Sequence, residues 1–335
     1  GTVLIENIRR HRPNDQALLI CSRRDTIVRA AARIAGLSVE LLPAFLEQPM
    51  PAIKKILAQE KEINKQYHTW LDRIAQHHPR LGLTIWGWWL PEELFSLPVC
   101  GFVNYHPAPL PELRGMEPDT FAILEGRDHI WGTVHRVSRD FDRGDIVKKT
   151  PVITIKPWDT PERLWNELTR VGVTALLSSV SRFTSKNAVF LKQEHAKKAA
   201  SKATLRKAWD ESFLDPARDS LITADRRLRA FGGQDIGIRL KISHQGRVWE
   251  AADLDCWSGR KRGHPGDFIG LYRGPGAWKS SPVYQCIDGL LVIRLGKKLS
   301  SAVLPDGPVR LPECRQTLKI LPVKRARRTI ARYLP

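Results

Sequence analysis

Short apolar runs alternate with helical patterns through the first half of the chain, and this alternation limits the folds that it can adopt. The runs predict buried strands, and the segments between them carry apolar residues at helical spacing. In chain order these are strand 17–21, helix 26–35, strand 38–42, a helical region 53–76 with a break, and strand 83–86. Such alternation is typical of an open doubly wound sheet. We therefore predict an α/β fold with a mostly parallel sheet.

The next predicted strand, within Gly101–Pro107, ends in polar side chains. Asn104 and His106 are two residues apart in an extended segment, so their side chains point to the same side. Ligands of open α/β sheets bind beyond the carboxyl ends of the strands. An amide donor and an imidazole there suit a carbonyl group whose oxygen gains negative charge during attack. An isolated Asn-x-His would more simply be a histidine hydrogen-bonded at a strand end.

Further motifs follow in a fixed order. Leu110-Pro111 and Arg114-Gly115 come soon after the strand, then Gly132-Thr133-Val134-His135, then the Asp-x-Gly-x-Ile pattern of 142–146. Together they resemble the N10-formyltetrahydrofolate-dependent formyltransferase family. The resemblance is strong over 81–156 and looser elsewhere. It implies a formyltransferase-like Rossmann fold.

The resemblance also implies roles for individual residues. The catalytic residues of the family fall on Asn104, His106 and Asp142, whereas Asp140 and Asp145 flank the last and are not selected by the motif register. N10-formyltetrahydrofolate would be the donor and a primary amine the acceptor, with no metal. Asn104 and a protonated His106 would hold the oxyanion, with Asp142 keeping His106 charged and oriented. His135, in mid-strand, is interpreted as a packed supporting residue.

By the same resemblance, the strand end after Ile85 forms a wall for the pterin of the donor. The implied donor site consists of Trp86, Gly87, Trp88, Leu90, Ser138 and Asp140, and Arg114 and Gly115 would meet the second substrate. The three tryptophans at 86, 88 and 89 can alternatively fill core. We expect Trp88 to face a ligand and Trp89 to be buried.

The second half of the chain changes character. Thr160-Pro161 opens a long helix with a cap residue and a proline in its first turn. Its predicted buried stripe consists of Leu164, Leu168, Val171, Ala175 and Leu176. Periodicity then lapses, and a helix and short strands punctuated by Gly and Pro follow. We predict a catalytic domain at 1–184, a linker at 185–208, a helix plus OB-like β-barrel at 209–320, and a basic tail at 321–335.

Charge and cysteine content bear on the partners. The net charge of +19 is compatible with nucleic acid, an anionic substrate or a generally basic surface. The five cysteines are scattered and never in Cys-x-x-Cys spacing, which favours reduced thiols in the cytoplasm and argues against structural zinc. No apolar run approaches the ~20 residues of a membrane span. Oligomeric state is not indicated.

The acceptor is the harder question. The methionyl-tRNA enzymes of the resembled family carry a long basic insertion after the second strand, whereas here Cys21–Asp25 passes at once into the next helix. This favours a small amine, such as an amino-sugar nucleotide or a natural-product amine, over tRNA. Hydrolysis with water as acceptor stays open, and a role as an RNA-binding module is disfavoured by the intact catalytic motifs. In the resembled family a strand also precedes the opening helix. Here the sequence reaches that helix almost immediately.

Overall fold

The computed structural model describes residues 2–12, 14–48, 50–85, 89–185, 189–193, 205–232, 238–273 and 278–298. The chain divides into two compact units. The first is formed by Gly1–Gly115, Trp131–Ile153 and Glu167–Lys202, and the second contains the described residues of Met116–Ile130, Thr154–Asn166 and Ala203–Pro335. The domain boundaries derived from the sequence stay predictions.

Helices and strands alternate from the beginning of the first unit. In chain order they are α1 (Thr2–His11), β1 (Leu18–Cys21), α2 (Thr26–Ile34), β2 (Ser38–Leu41), a 3-10 turn (Ala44–Glu47), α3 (Met50–Gln59), α4 (Lys61–Ala75), β3 (Gly82–Thr84), α5 (Glu92–Phe95) and β4 (Phe102–His106). The predicted break in the long helical region is confirmed, because Glu60 separates α3 from α4. The prediction of an α/β fold is therefore confirmed.

The middle of the chain continues with shorter elements. They are α6 (Pro118–Leu124), β5 (His129–Ile130), β6 (Thr133–Arg136), β7 (Ile146–Lys149), β8 (Ile153–Thr154), α7 (Pro161–Ser178) and α8 (Val180–Phe183). Four members of the predicted stripe on α7 are buried, namely Leu164, Leu168, Ala175 and Leu176. Val171 is half-buried.

The sheet of the first unit is mixed, so the prediction of a mostly parallel sheet is corrected. β1 pairs with β2 in parallel, and a second sheet has the order β3-β4-β6-β7. Only β3 and β4 are parallel in it, whereas β4 pairs with β6 and β6 with β7 in antiparallel fashion. A short buried run predicts a strand but not its direction. The loop that joins β6 to β7 is too short for a parallel crossover, so this pair must be antiparallel.

β4 has one face in the core and the other in the site. Val103 and Tyr105 belong to a buried cluster with Val134 of β6 and Leu176 of α7. The Tyr105 hydroxyl donates to the carbonyl of Leu168 at 2.7 Å. Since successive side chains of a strand point to opposite faces, this packing turns the residues at 104 and 106 to the other side.

The second unit carries an antiparallel sheet. Its later elements are α9 (Leu205–Glu211), α10 (Leu221–Phe231), β9 (Lys241–His244), β10 (Arg247–Ser258), β11 (Phe268–Arg273), β12 (Lys279–Gln285) and β13 (Gly289–Lys298), and the strand order is β11-β12-β13-β10-β9. β12 was not predicted from the sequence, because its Ser-Ser-Pro stretch, ending at Pro282, is typical of a turn.

The predicted OB-like barrel is not confirmed. The strands form one open sheet, and no backbone pairing within the described residues joins its edge strands β9 and β11. The sheet is nevertheless curled, because the rings of His244 on β9 and Phe268 on β11 lie 5.2 Å apart. Curling follows from strand twist, whereas closure also requires the edge backbones to come within hydrogen-bonding distance.

None of the helices within the described residues combines the length and apolar character that a bilayer crossing requires.

Candidate active site

Four polar side chains lie together on the site face of the first unit. Asn104, His106, His135 and Asp142 are each at most 8% exposed. Nδ1 of His106 is 3.7 Å from Oδ2 of Asp142, and Nε2 of His135 is 3.5 Å from Oδ1 of the same carboxylate. Nδ2 of Asn104 is 3.2 Å from Nε2 of His135. The structure therefore brings together the three residues predicted to be catalytic and places His135 between two of them.

The register of the sheet explains this cluster. Asn104 of β4 is directly opposite His135 of β6, and His106 is opposite Thr133. Thr133 uses its hydroxyl to donate to the Ala108 carbonyl at 2.7 Å, which holds the chain that leaves β4. The Gly-Thr-Val-His pattern thus supplies a site residue and an anchor for the loop after the catalytic strand.

Asp142 lies in the loop between β6 and β7 and has an unusual backbone conformation. Its φ is +55°, a left-handed value that residues other than glycine adopt infrequently. Two residues on, a Cβ on Gly144 would lie 1.9 Å from the carbonyl oxygen of Arg136. Only glycine fits there, so the Asp-x-Gly pattern reflects a loop packed tightly against the end of β6.

The segment Leu113–Gly115 holds both His106 and Asp142. Nε2 of His106 donates to the Leu113 carbonyl at 2.7 Å, and the Gly115 N–H donates to Oδ2 of Asp142 at 3.1 Å. Nε of Arg114 donates to the backbone carbonyl of Asp142 at 3.2 Å. Arg114 and Gly115, predicted to contact substrate, are found here supporting the aspartate loop. Their role toward substrate stays a prediction.

Burial and neighbouring charges set the protonation of the cluster. Burial lowers the pKa of His106, although Asp142 and the Leu113 carbonyl act in the opposite direction. For Asp142, burial acts to raise the pKa, but His106, His135 and the Gly115 N–H outweigh it, and the pKa is lowered. Both shifts favour an ionised Asp142 and a neutral His106 in the ligand-free site. The protonated His106 that the resemblance implies stays a prediction.

The tautomers follow from the hydrogen bonds. A carbonyl oxygen only accepts, so Nδ1 of His135 donates to the Arg136 carbonyl at 2.8 Å. Nε2 can then accept an N–H from the Asn104 amide, 3.2 Å away. Oδ1 of Asn104 is buried and has no hydrogen-bond partner among the described residues. A buried, unpaired oxygen is unfavourable unless another group supplies a hydrogen-bond donor. We therefore expect a bound ligand to donate a hydrogen bond to this oxygen.

A small cleft beside the cluster is lined by both apolar and polar side chains. Trp89, Leu90, Val137 and Phe141 line it together with Asn104, His135 and Asp142. Of the predicted donor-site residues, Leu90, Ser138 and Asp140 line this cleft, whereas Trp86, Gly87 and Trp88 lie outside the described residues. Their donor-binding roles stay predictions. Among the described residues, no group of His, Cys, Asp and Glu is arranged to hold a metal ion.

Two residues around the site were not predicted to belong to it. Trp89 was expected to be buried, but it is half-buried, and its indole N–H donates to the Arg139 carbonyl in the β6–β7 loop at 3.2 Å. Gln193, in the segment predicted as a linker, donates to the carbonyl of Asp142 at 3.0 Å. No motif or periodicity marks Gln193. Only its position against the loop reveals it.

Comparisons with known proteins agree with this geometry. The model of a family described as formyl transferase matches residues 9–180, just over half of the chain. A methionyl-tRNA formyltransferase of Bacillus licheniformis is 31% identical over 140 residues, which are 42% of this chain and 43% of that protein. The chain thus spans less than half the length of that relative. A methionyl-tRNA formyltransferase of Natranaerobius thermophilus is 24% identical over 253 residues, covering 73% of this chain and 77% of that protein.

A solved structure shares the fold over most of the chain. It is the N-formyltransferase from Helicobacter canadensis, in complex with folinic acid and dTDP-3-aminofucose. The TM-score is 0.55 at 15% identity, covering 88% of this chain and 95% of that one. At this identity the likeness shows the fold alone.

Proposed function

The chain belongs to the formyl transferase family, and from that premise we propose that it transfers a formyl group from N10-formyltetrahydrofolate to a primary amine. The observation that carries the proposal is the buried cluster in which Asn104, His106 and Asp142 meet. It combines an amide, an imidazole and a carboxylate beside a cleft of mixed polar and apolar lining. The serine that lines this cleft, Ser138, donates its hydroxyl to the Asp140 carbonyl at 2.9 Å, and no cysteine is among the described lining residues. Direct transfer between two bound substrates suits these groups.

Asn104 is proposed to act on the formyl oxygen. One N–H of its amide is directed to His135, which leaves the second for the oxygen on which negative charge develops. His135, fixed through Arg136, prevents the amide from rotating away. Oδ1 of Asn104, which has no partner in the part of the chain that the structure describes, is available to accept an N–H of the attacking amine.

His106 and Asp142 are proposed to move the proton. Nε2 of His106 is committed to the Leu113 carbonyl, so the neutral ring presents the lone pair of Nδ1 toward Asp142. Nδ1 takes the proton that the amine loses as its nitrogen bonds to the formyl carbon. The imidazolium is stabilised by the carboxylate and returns the proton to N10 as the bond from the formyl carbon to N10 breaks. Both residues end in their starting states.

The acceptor proposed is a small amine, with amino-sugar nucleotides and natural-product amines as the class. Support comes from the connection between β1 and α2, which consists only of residues 22–25 and leaves no room for the insertion that the tRNA enzymes carry. A second candidate acceptor is initiator methionyl-tRNA, since both curated relatives described above are methionyl-tRNA formyltransferases. The basic residues Arg260, Lys261 and Arg262 of the second unit, all exposed, would be compatible with it.

The test is an acceptor panel. The full chain is incubated with N10-formyltetrahydrofolate and, separately, amino-sugar nucleotides, simple primary amines, charged initiator tRNA and buffer alone. Folate release and the mass of the formylated product are measured. We expect release that depends on a small amine. Formylation of tRNA alone would favour the second candidate, and release in buffer alone would indicate a hydrolase.

A further inference from the structure

The loop that carries Asp142 is hydrogen-bonded to segment 189–193, which is distant in sequence. Leu191 pairs with Ile146 of β7 through backbone hydrogen bonds of 2.7 and 3.0 Å. This pairing brings Gln193, 51 residues from Asp142 in sequence, against the β6–β7 loop. Segment 189–193 is therefore part of the structure that surrounds the aspartate.

The Gln193 amide uses both its donor and its acceptor there. Nε2 donates to the backbone carbonyls of Asp142 at 3.0 Å and Gly144 at 2.7 Å. Oε1 accepts from Arg114, at 3.3 Å from Nε and 2.7 Å from Nη2. Arg114 itself donates to the Asp142 carbonyl. The three residues form a closed network around one backbone carbonyl.

That carbonyl belongs to a residue with a left-handed backbone conformation. Asp142 has φ of +55°, and such a conformation persists only where the surroundings hold it. The carboxylate orientation depends on this backbone, because Oδ2 must meet the Gly115 N–H while facing His106. Relaxation of φ to an ordinary value would swing the carboxylate away from both.

We propose that Gln193 is a positioning residue for formyl transfer, one that holds the left-handed backbone of Asp142 so that its carboxylate faces His106. The inference rests on the proposed function, because the aspartate matters to the reaction only through His106. Gln193 does not itself line the cleft. A Glu at this position would keep the contact with Arg114. Its second carboxylate oxygen would face the two carbonyl oxygens that now accept from Nε2, and these would repel it. Gln193→Glu is therefore expected to disturb the loop.

The experiment compares Gln193→Met, which keeps the length of the side chain and removes its hydrogen bonds, with Lys192→Met at the exposed neighbouring position. For Gln193→Met we expect kcat to fall about 10- to 100-fold, the loss typical of a small misplacement, with KM for the donor unchanged. Lys192→Met should match the wild type. Wild-type kcat in Gln193→Met, or an equal loss in Lys192→Met, would overturn the proposal.

A second readout needs no turnover. The titration of His106 is followed by NMR of labelled histidines and assigned with His106→Gln. Asp142 raises the pKa of His106, whereas burial and His135 lower it. Displacing the carboxylate in Gln193→Met should therefore lower the pKa of His106, and the acid limb of kcat should move the same way. An unchanged titration would contradict the positioning role even if activity were lost. If the wild type formylates no amine but the titration shifts, the proposed function fails and the positioning role stands.

Discussion

Asn104 in the first unit and Gln285 in the second are both buried amides on sheet strands, but their hydrogen bonding differs. Within the described ranges, Oδ1 of Asn104 has no hydrogen-bond partner. Oε1 of Gln285 accepts from the Arg262 N–H at 2.8 Å, and its Nε2 donates to the carbonyls of Cys286 at 2.9 Å and Gly289 at 3.0 Å. The first amide is incompletely satisfied within the protein, whereas the second is fully used.

The buried histidines differ in their surroundings rather than in their number of hydrogen bonds. Nε2 of His106 makes a 2.7 Å hydrogen bond with the Leu113 carbonyl, and its Nδ1 faces a carboxylate 3.7 Å away, beyond hydrogen-bond distance. His244 in the second unit makes a 2.7 Å hydrogen bond with the hydroxyl of Tyr284. A satisfied buried polar group stabilises and specifies a fold, whereas an unsatisfied one is costly unless a ligand uses it. The comparison suggests chemistry in the first unit and architecture in the second.

The largest expected effect tests the first half of this contrast. Asn104→Ala removes the amide proposed to meet the developing oxyanion, so kcat should fall by about 10²–10³-fold, as for loss of one such donor elsewhere. Donor affinity, measured by quenching of tryptophan fluorescence with a folate analogue, should change little because the interaction forms in the transition state. Retention of more than about a tenth of the wild-type rate would mean that Asn104 is not the oxyanion donor.

Gln285→Ala tests the other half. The change leaves buried backbone groups without partners, and about 1–3 kcal/mol of stability is expected to be lost. Thermal or urea unfolding measures the loss, while kcat at a temperature where the variant is folded should equal that of the wild type. The exposed helix residue Gln66 provides the matched control, since Gln66→Ala should alter stability by less than about 0.5 kcal/mol. A catalytic defect in folded Gln285→Ala would break the comparison.

The pH dependence of stability should reflect both buried histidines. Burial lowers the pKa of both His106 and His244, so the folded state disfavours their protonation. The associated stability is fully present above the unfolded pKa of about 6.5 and is lost as pH falls through the lower folded values. We expect the unfolding temperature to decline on acidification, and less so in His106→Gln or His244→Gln.

Activity distinguishes the pair further. kcat/KM should decline as acid protonates His106, and His244→Gln should leave that limb in place. The measurement is the pH–rate profile of wild type and His244→Gln under identical salt. Movement of the acid limb in His244→Gln would show that the second unit takes part in the chemistry after all.

The smallest effect concerns salt and the exposed basic loop of the second unit. If the acceptor is a small amine, kcat/KM should depend weakly on ionic strength, and replacing Arg260, Lys261 and Arg262 by alanine should leave it unchanged. A tRNA acceptor would instead give a fall of about 0.7–0.9 log units per contacted phosphate for each tenfold increase in salt. A steep dependence of kcat/KM on salt that becomes shallow in the triple variant would contradict the small-amine proposal and favour tRNA as the acceptor.

Local rules were enough to predict the face on which the chemistry lies. The two-residue period of a strand alone puts Asn104 and His106 on one side, whereas Asp142 was implied only by the resemblance of the ordered motifs to the formyltransferase family. The helices α1 to α4 and the buried stripe of α7 follow from apolar spacing in the same way. These features depend on residues close in sequence, whose geometry the backbone itself constrains.

Tertiary structure decided the rest. The antiparallel direction of β6 and β7, the strand β12 hidden by Pro282, and the open edge of the second sheet are not encoded in the spacing of apolar residues. The hydrogen bond from Gln193 to Asp142 joins positions 51 residues apart in a segment without periodicity. Such contacts arise from how elements pack. The sequence of a polar segment does not distinguish a glutamine that is hydrogen-bonded to water from one that is hydrogen-bonded to the backbone of Asp142.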